Sequence, residues 1–503
     1  MRRLLITLCL VSTILLSASS GYTYTLQSTD SSNSAQIKWQ SRTIRIALST
    51  SLTASQSNIK SGSDVVGAAQ RAIDHWRSAT NLRFIVSTSE LQSISSSGTR
   101  GDGVSLITVA HTSDNSAPFS GDGSEMSGRT RVFATVGGTI TEADVVLNPG
   151  QPFSSDGTPG TFDLEAVFTH EIGHLLGLEH SGVLGATMQP RQAKNGTFNL
   201  SAFSPRSLSD DDRAGARALY GPRKGASPRG AIAGIITFAS GAPVYGAHVW
   251  AEDAATGRVV AGNITVANGA YRIEGLLPGE YRVMAQPLGG AVLASDIASQ
   301  RGAYAGLSVN QQTPFRTEEI GSAIVKADAT SLLSAQISGT ISSIVPSFVG
   351  LNGELSCVAV PVVRGYSYKV FVAGEGISAS RFGRSGITST SPYILIDPES
   401  IENADFGNGL TVISFDVIVA ADAPAGEFSL RLQTVTGEIA YLAGGLTIED
   451  SQAIADGDQE TLLVAGAFAQ DGDSGSLAAS QLEKFMTDPD ADDAANTNAA
   501  QPR

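Results

Sequence analysis

The residues best equipped for chemistry are His170, Glu171, His174 and His180, in the run His170-Glu171-Ile172-Gly173-His174-Leu175-Leu176-Gly177-Leu178-Glu179-His180. On a helix, residues four apart share a face, so His170 and His174 can offer two imidazole nitrogens to one metal ion. Glu171, one step along, can face a water at that ion without ligating it. A straight helix would carry His180 away from the metal. Gly177 removes the difficulty, because glycine tolerates positive φ and lets the helix end and the chain turn back. Three histidines with a fourth position open make a catalytic zinc arrangement, whereas a structural site is closed by a fourth protein ligand. The glutamate could then take a proton from that water. An ordinary buried helix has no need of three His, a Glu and a Gly at this spacing.

This run resembles the metzincin zinc peptidases, whose pattern is HExxHxxGxxH followed by a Met-turn. The Met-turn candidate is Met188, in Ala186-Thr187-Met188-Gln189-Pro190. Ser181 after the third His and the step from His180 to Met188 resemble the matrixin branch. So does Leu208-Ser209-Asp210-Asp211-Asp212-Arg213-Ala214-Gly215-Ala216-Arg217-Ala218-Leu219-Tyr220-Gly221, which is similar to the final matrixin helix, LSxDDxxGxxxLYG. The resemblance covers residues 37–223. It implies an α+β catalytic domain, a twisted sheet plus about three helices, that cleaves protein or peptide substrates. His170, His174 and His180 would hold one Zn²⁺, Glu171 would act as base, and Met188 would floor the metal without ligating it. Pro190 stands where astacin-like enzymes carry a Tyr ligand, so no fifth ligand is expected. Gln189 replaces the usual Tyr of Met-Tyr-Pro, which bears on the S1′ pocket walled by the loop to residue 203. Matrixins bind substrate along an edge strand above the cleft. Order along the chain gives that role to Val132, Phe133, Ala134, Thr135 and Val136, an interior strand being the alternative; Pro190, after the Met-turn, is the other candidate for substrate contact.

The elements that must position these residues follow from periodicity. Residues 43–49 alternate as a strand, and 64–81 show helical spacing through Val65, Val66, Ala69, Ile73 and Trp76. Residues 82–87, 104–110, 129–136 and 140–147 read as further strands. The zinc helix spans 163–177 with Asp163 as its N-cap.

The loops Gly121-Asp122-Gly123 and 153–157 read as plain turns, although the resemblance allows Ca²⁺ there. Of six histidines, three lie in the motif and His248 falls in a later domain, leaving His75 and His111. The matrixin structural zinc site uses three His and an Asp, so no structural zinc of that type is expected.

Residues 1–20 read as a secretory signal: Arg2 and Arg3, an apolar run over 4–16, then small residues. A secreted or envelope location is therefore expected. No later stretch reaches about 18 apolar residues, so no transmembrane segment is expected in the mature chain. That chain would keep only Cys357, which excludes an intramolecular disulfide. Residues 21–37 have neither the length nor the cysteine of a matrixin propeptide, so no cysteine switch is expected. The formal net charge of −15 argues against a nucleic-acid partner.

Downstream of a linker at 222–229 the chain turns β-rich. Residues 229–288 resemble the carboxypeptidase regulatory-like β-sandwich, through Gly241-Ala242-Pro243-Val244-Tyr245-Gly246-Ala247-His248-Val249 and Leu276-Leu277-Pro278-Gly279-Glu280-Tyr281. Residues 289–331 read as a connector and 332–450 as a second all-β sandwich resembling Ig or IPT domains. An acidic, disordered tail fills 451–503. The reading is a secreted zinc endopeptidase. The alternative is a surface-binding or adhesive protein whose sandwiches hold a cell-surface or matrix polymer and whose peptidase domain is vestigial.

Overall fold

The computed structural model describes residues 25–29, 35–200, 206–299, 302–308, 314–407 and 409–449; the expected signal and acidic tail lie outside them. Spacing of three and four residues brings Val65, Ala68, Ala69, Ala72, Ile73 and Trp76 onto one buried face of α1 (Val65–Ala79). The Asp64 carboxylate starts that helix by accepting the Gly67 N–H. Before it runs β1 (Thr43–Ser49); after it come β2 (Arg83–Ser89), β3 (Leu106–Thr108), the single turn α2 (Ser113–Ser116), β4 (Gly128–Ala134) and β5 (Ile140–Leu147). The strand order is β2-β1-β3-β5-β4, all parallel except β4, which lies antiparallel to β5 at the edge. The short β6 (Phe153–Ser154) and β7 (Phe162–Asp163) pair before α3 (Leu164–Leu175), and α4 (Asp210–Tyr220) closes the unit.

α3 carries the metal motif, and its ends are tied down. Asp163 accepts the Ala166 N–H at 3.0 Å and is paired with Arg206. At the other end Gly177 takes φ 96°. Leu178 N–H donates to Gly173 O and Gly177 N–H to His174 O, the paired bonds of a Schellman stop. A Cβ at Gly177 would stand 2.1 Å from Ile37 O, so space and backbone angle both demand glycine. Leu175 O and Leu176 O, left over at the helix end, accept from the Trp39 indole N–H and the Tyr220 hydroxyl. α1 crosses behind α3, where the Trp76 indole donates to Thr169 O at 2.8 Å.

The second unit holds β8 (Gly230–Phe238), β9 (His248–Asp253), β10 (Arg258–Ile264), β11 (Ala270–Leu276), β12 (Gly279–Gln286), the single turn α5 (Ala294–Ile297), β13 (Glu318–Val325), β14 (Thr330–Leu332) and β15 (Ala335–Ile337). Here the structure departs from the sequence reading. The stretch 289–331 is not only a connector: β13 pairs with β12, and β14, which starts at Thr330, pairs with β8; β15, in the range read as the second sandwich, also pairs with β8. β14 and β15 are only three residues each, and β13, though eight residues long, carries Glu318, Glu319, Gly321 and Ser322 in place of a run of alternating apolar residues. The third unit is all-β, with main strands Val345–Leu351, Ser367–Glu375, Val412–Val419, Gly426–Gln433 and Ile439–Ile448. The two β units do not stand apart, because β10 pairs antiparallel with Gly426–Gln433 in one continuous eight-stranded sheet.

The loop after His180 joins all three units. Val183 and Ala186 pack with Trp250, Met284 and Tyr441, while Leu184, Phe198 and Leu200 belong to the third unit's core. Replacing Gly177 with Ala is expected to cost about 2 kcal/mol or more in urea titrations, since strain and clash add. Gly62 (φ 86°, open space around it) is the control, and its Ala variant should lose less. Equal losses at both positions would remove the clash with Ile37 O from the account.

Candidate metal centre

α3 delivers His170 and His174 from successive turns, and the Gly177 stop returns the chain so that His180 meets them. The candidate ligand atoms of the three rings lie within 4.8 Å of one another. Each Nδ1 faces a backbone carbonyl: His170 to Thr187 O at 2.8 Å, His174 to Leu178 O at 2.8 Å, His180 to Asp296 O at 2.6 Å. A carbonyl can only accept, so each Nδ1 carries the proton and each Nε2 keeps a lone pair. The Nε2 atoms of His170 and His174 stand 3.2 Å apart. With neither bearing a proton, that contact is not a hydrogen bond; it is close to the ~3.3 Å that two ligands at Zn–N of about 2.0–2.1 Å subtend in a tetrahedron. Burial holds all three imidazoles below their ordinary pKa, His170 at about 3, so they are neutral at neutral pH. The donor set fits a zinc ion.

Glu171 is 4% exposed, and burial pushes its carboxyl up to about 7 against the opposing hydrogen bond from Thr130. The Thr130 hydroxyl lies 2.6 Å from Glu171 Oε2 and 2.8 Å from Glu171 O. A Cβ at Gly128 would stand 2.9 Å from Glu171 Oε1. Thus β4 runs beside the glutamate at Gly128 and Thr130, which sequence reasoning missed because they carry no motif. Val132, Phe133 and Ala134 continue β4 along the sheet edge, whereas Thr135 and Val136 lie in the turn beyond it, Val136 at 96% exposure.

Met188 is fully buried under α3. A Cβ at Gly173 would meet Met188 Sδ at 2.2 Å, so the glycine within the motif lets the Met-turn press against the helix. The turn is held by α4. Asp212 accepts the N–H groups of Thr187 at 2.8 Å and Met188 at 3.1 Å while its own helix start is capped reciprocally with Ser209. Its neighbour Asp211 accepts from the Ser181 hydroxyl and from Gly262 N–H of the second unit. Gln189 donates to Cys357 O at 3.0 Å, so this wall, with Pro190 beside it, leans on the third unit. A cavity of about 290 Å³ lies behind it, lined by Gln189, Arg191 and Ala193 and by Val358 and Glu427; none of the three imidazoles lines it, so it is not the metal cleft.

Residues 38–221 match the family described as Matrixin, and residues 231–310 match the Carboxypeptidase regulatory-like domain. Residues 38–221 are a matrixin domain. Matrixins are zinc-dependent peptidases, in keeping with the donor set above. Among relatives, the chain is 34% identical over 157 residues to Matrix metalloproteinase-16 of Homo sapiens, covering 31% of this chain and 23% of that protein. It is 32% identical over 162 residues to Interstitial collagenase of Bos taurus (32% of this chain, 29% of that protein). It is 30% identical over 159 residues to Metalloendoproteinase 1 of Glycine max (31% and 45%). The chain therefore spans less than half the length of the curated relatives it matches.

Outside the matrixin centre, His75 bonds Glu165 at 2.8 Å and His111 bonds Asn58 at 2.8 Å, while His248 is buried against Trp250 in the second unit. Asp156, in the loop considered for calcium, is paired with Lys60.

Asp211 supplies a pH signature. Burial, then the Asp212 charge, pushes it up to about 8 from an ordinary value near 4. A folded-state pKa above the unfolded one contributes stability that is complete below about pH 4 and is lost as pH rises through about 8. In urea titrations, the stability of the parent relative to Asp211→Asn should therefore fall from pH 5 to pH 9. A difference independent of pH would mean that Asp211 stays ionised in the folded protein.

Proposed function

We propose that the matrixin domain is the zinc endopeptidase of a secreted protein and hydrolyses peptide bonds in extended segments of other proteins. The observation that carries this reading is the convergence of three neutral imidazoles, each with a free Nε2 lone pair, beside the buried carboxylate of Glu171. His170, His174 and His180 would hold the ion, which when bound supplies Lewis acidity and makes water a nucleophile near neutral pH. Glu171 takes a proton from the attacking water and returns it to the nitrogen of the departing amine. Its burial and its position on the helix beside His170 place that carboxyl where it can serve both halves of the transfer. Thr130 holds the carboxylate in place through Oε2, and the edge position of β4 supports backbone pairing with substrate. Export is supported by the basic and apolar pattern of residues 2–16. No helix among the described residues is long and apolar enough to cross a membrane.

The test uses the full chain and its Glu171→Ala form, with zinc measured by elemental analysis and cleavage followed on unfolded casein. Both forms should carry one zinc per chain. Cleavage should fall about 10²–10⁴-fold in the variant; in the parent it should stop with chelator and return with zinc. A parent without zinc, or a variant that cleaves undiminished, would overturn the reading.

A further inference from the structure

Two of the three imidazoles find their carbonyl acceptors within the matrixin domain, at Thr187 and Leu178. The third does not. His180 Nδ1 donates to the carbonyl of Asp296, 116 residues downstream on α5 of the second unit. α5 is a single turn and could not keep its shape unaided. Its shape is set by the Asp296 side chain. Asp296 Oδ2 accepts Leu293 N–H at 2.7 Å, closing the start of the turn, and receives Arg191 Nη1 at 2.5 Å. Both partners of that ion pair are largely buried, at 21% and 9% side-chain exposure. Arg191 also reaches Ala291 O at 3.4 Å. Since Arg191 lies just beyond Met188, the clamp joins the Met-turn loop to the element that orients the third imidazole.

The far end of this segment is fixed as well. Ala303 N–H donates to the Ser28 hydroxyl at 2.8 Å. Ser28 belongs to the strip 25–29, in which Leu26 bridges to Leu178 and the Gln27 amide lies 3.3 Å from Leu178 O. The turn between the second and third ligands is therefore held by the strip 25–29, which Ala303 of the second unit ties down, while Asp296 of that unit holds the third ligand itself.

We propose that Asp296 is a positioning residue of the metal centre: its carbonyl orients His180, and its carboxylate, held by Arg191 and Leu293 N–H, fixes that carbonyl. The inference rests on the zinc reading above. It makes the metal centre a joint product of the matrixin domain and the unit that follows. Acceptors that orient metal-bound histidines are worth about 10–100-fold in metal affinity.

The experiment measures zinc affinity of the full chain by competition with a chelator, so that turnover is not the readout. Asp296→Ala should weaken zinc binding about 10-fold, and Arg191→Met should weaken it in the same direction. Asp296→Asn, which keeps an acceptor for Leu293 N–H, should restore most of the affinity. The visible absorption of bound Co²⁺ should change in Asp296→Ala and return toward the parent's in Asp296→Asn. If Asp296→Ala does not fold, Arg191→Met decides, because methionine keeps most of the volume of the arginine stem and Arg191 belongs to none of the hydrophobic cores. Zinc affinity within twofold of the parent in the folded variants overturns this inference and leaves the peptidase reading standing. A parent that binds no zinc overturns both.

Discussion

Three neutral imidazoles can share a cation only if each carries its one proton on the far nitrogen, and each of those protons needs an acceptor. The structure meets this requirement from three separate places. The Met-turn supplies Thr187 O, the chain just past the helix supplies Leu178 O, and α5 supplies Asp296 O. Two of the three contacts depend directly on α3 stopping at Gly177, since a further helical turn would remove both the Leu178 carbonyl and His180 from the site. The left-handed backbone at Gly177 thus sets the geometry that the rest of the fold preserves.

The same economy explains the acidic run at the start of α4. Asp212 serves two backbone segments at once, capping its own helix and accepting from the Met-turn. Asp211 bonds forward into the second unit and back to the residue after the third ligand. Tyr220 ends α4 by satisfying Leu176 O at the end of α3. The final helix therefore acts as a brace for the metal turn, through the polar side chains of Asp211, Asp212 and Tyr220.

Much of this was legible in the sequence. The ligand set, the breaking glycine and the Met-turn have fixed spacing because they are local, and helical or strand periodicity located α1, α3, β1 and β5 within a few residues. What escaped was non-local. Gly128 and Thr130 come to Glu171 through the register of β4 on β5, which no residue type announces. Asp296 reaches His180 across domains and looks like any surface aspartate. β13 is polar along half its length and β14 is three residues long, pairing with β8 about a hundred residues earlier, so 289–331 passed for a connector.

The loop from Ser181 to Leu200 has a further consequence for how far the units can be separated. In an enzyme assembled from interchangeable modules, the catalytic unit keeps its own surface and the appendages hang from a linker. Here Val183, Leu184, Ala186 and Phe198 lie inside the β units, and β10 shares its sheet with Gly426–Gln433. Cutting at the linker would bare a greasy loop on one fragment, and separating the β units would leave an unpaired strand edge. The three units are packed as one body, and a change in the sandwiches is felt at the walls of the metal cleft.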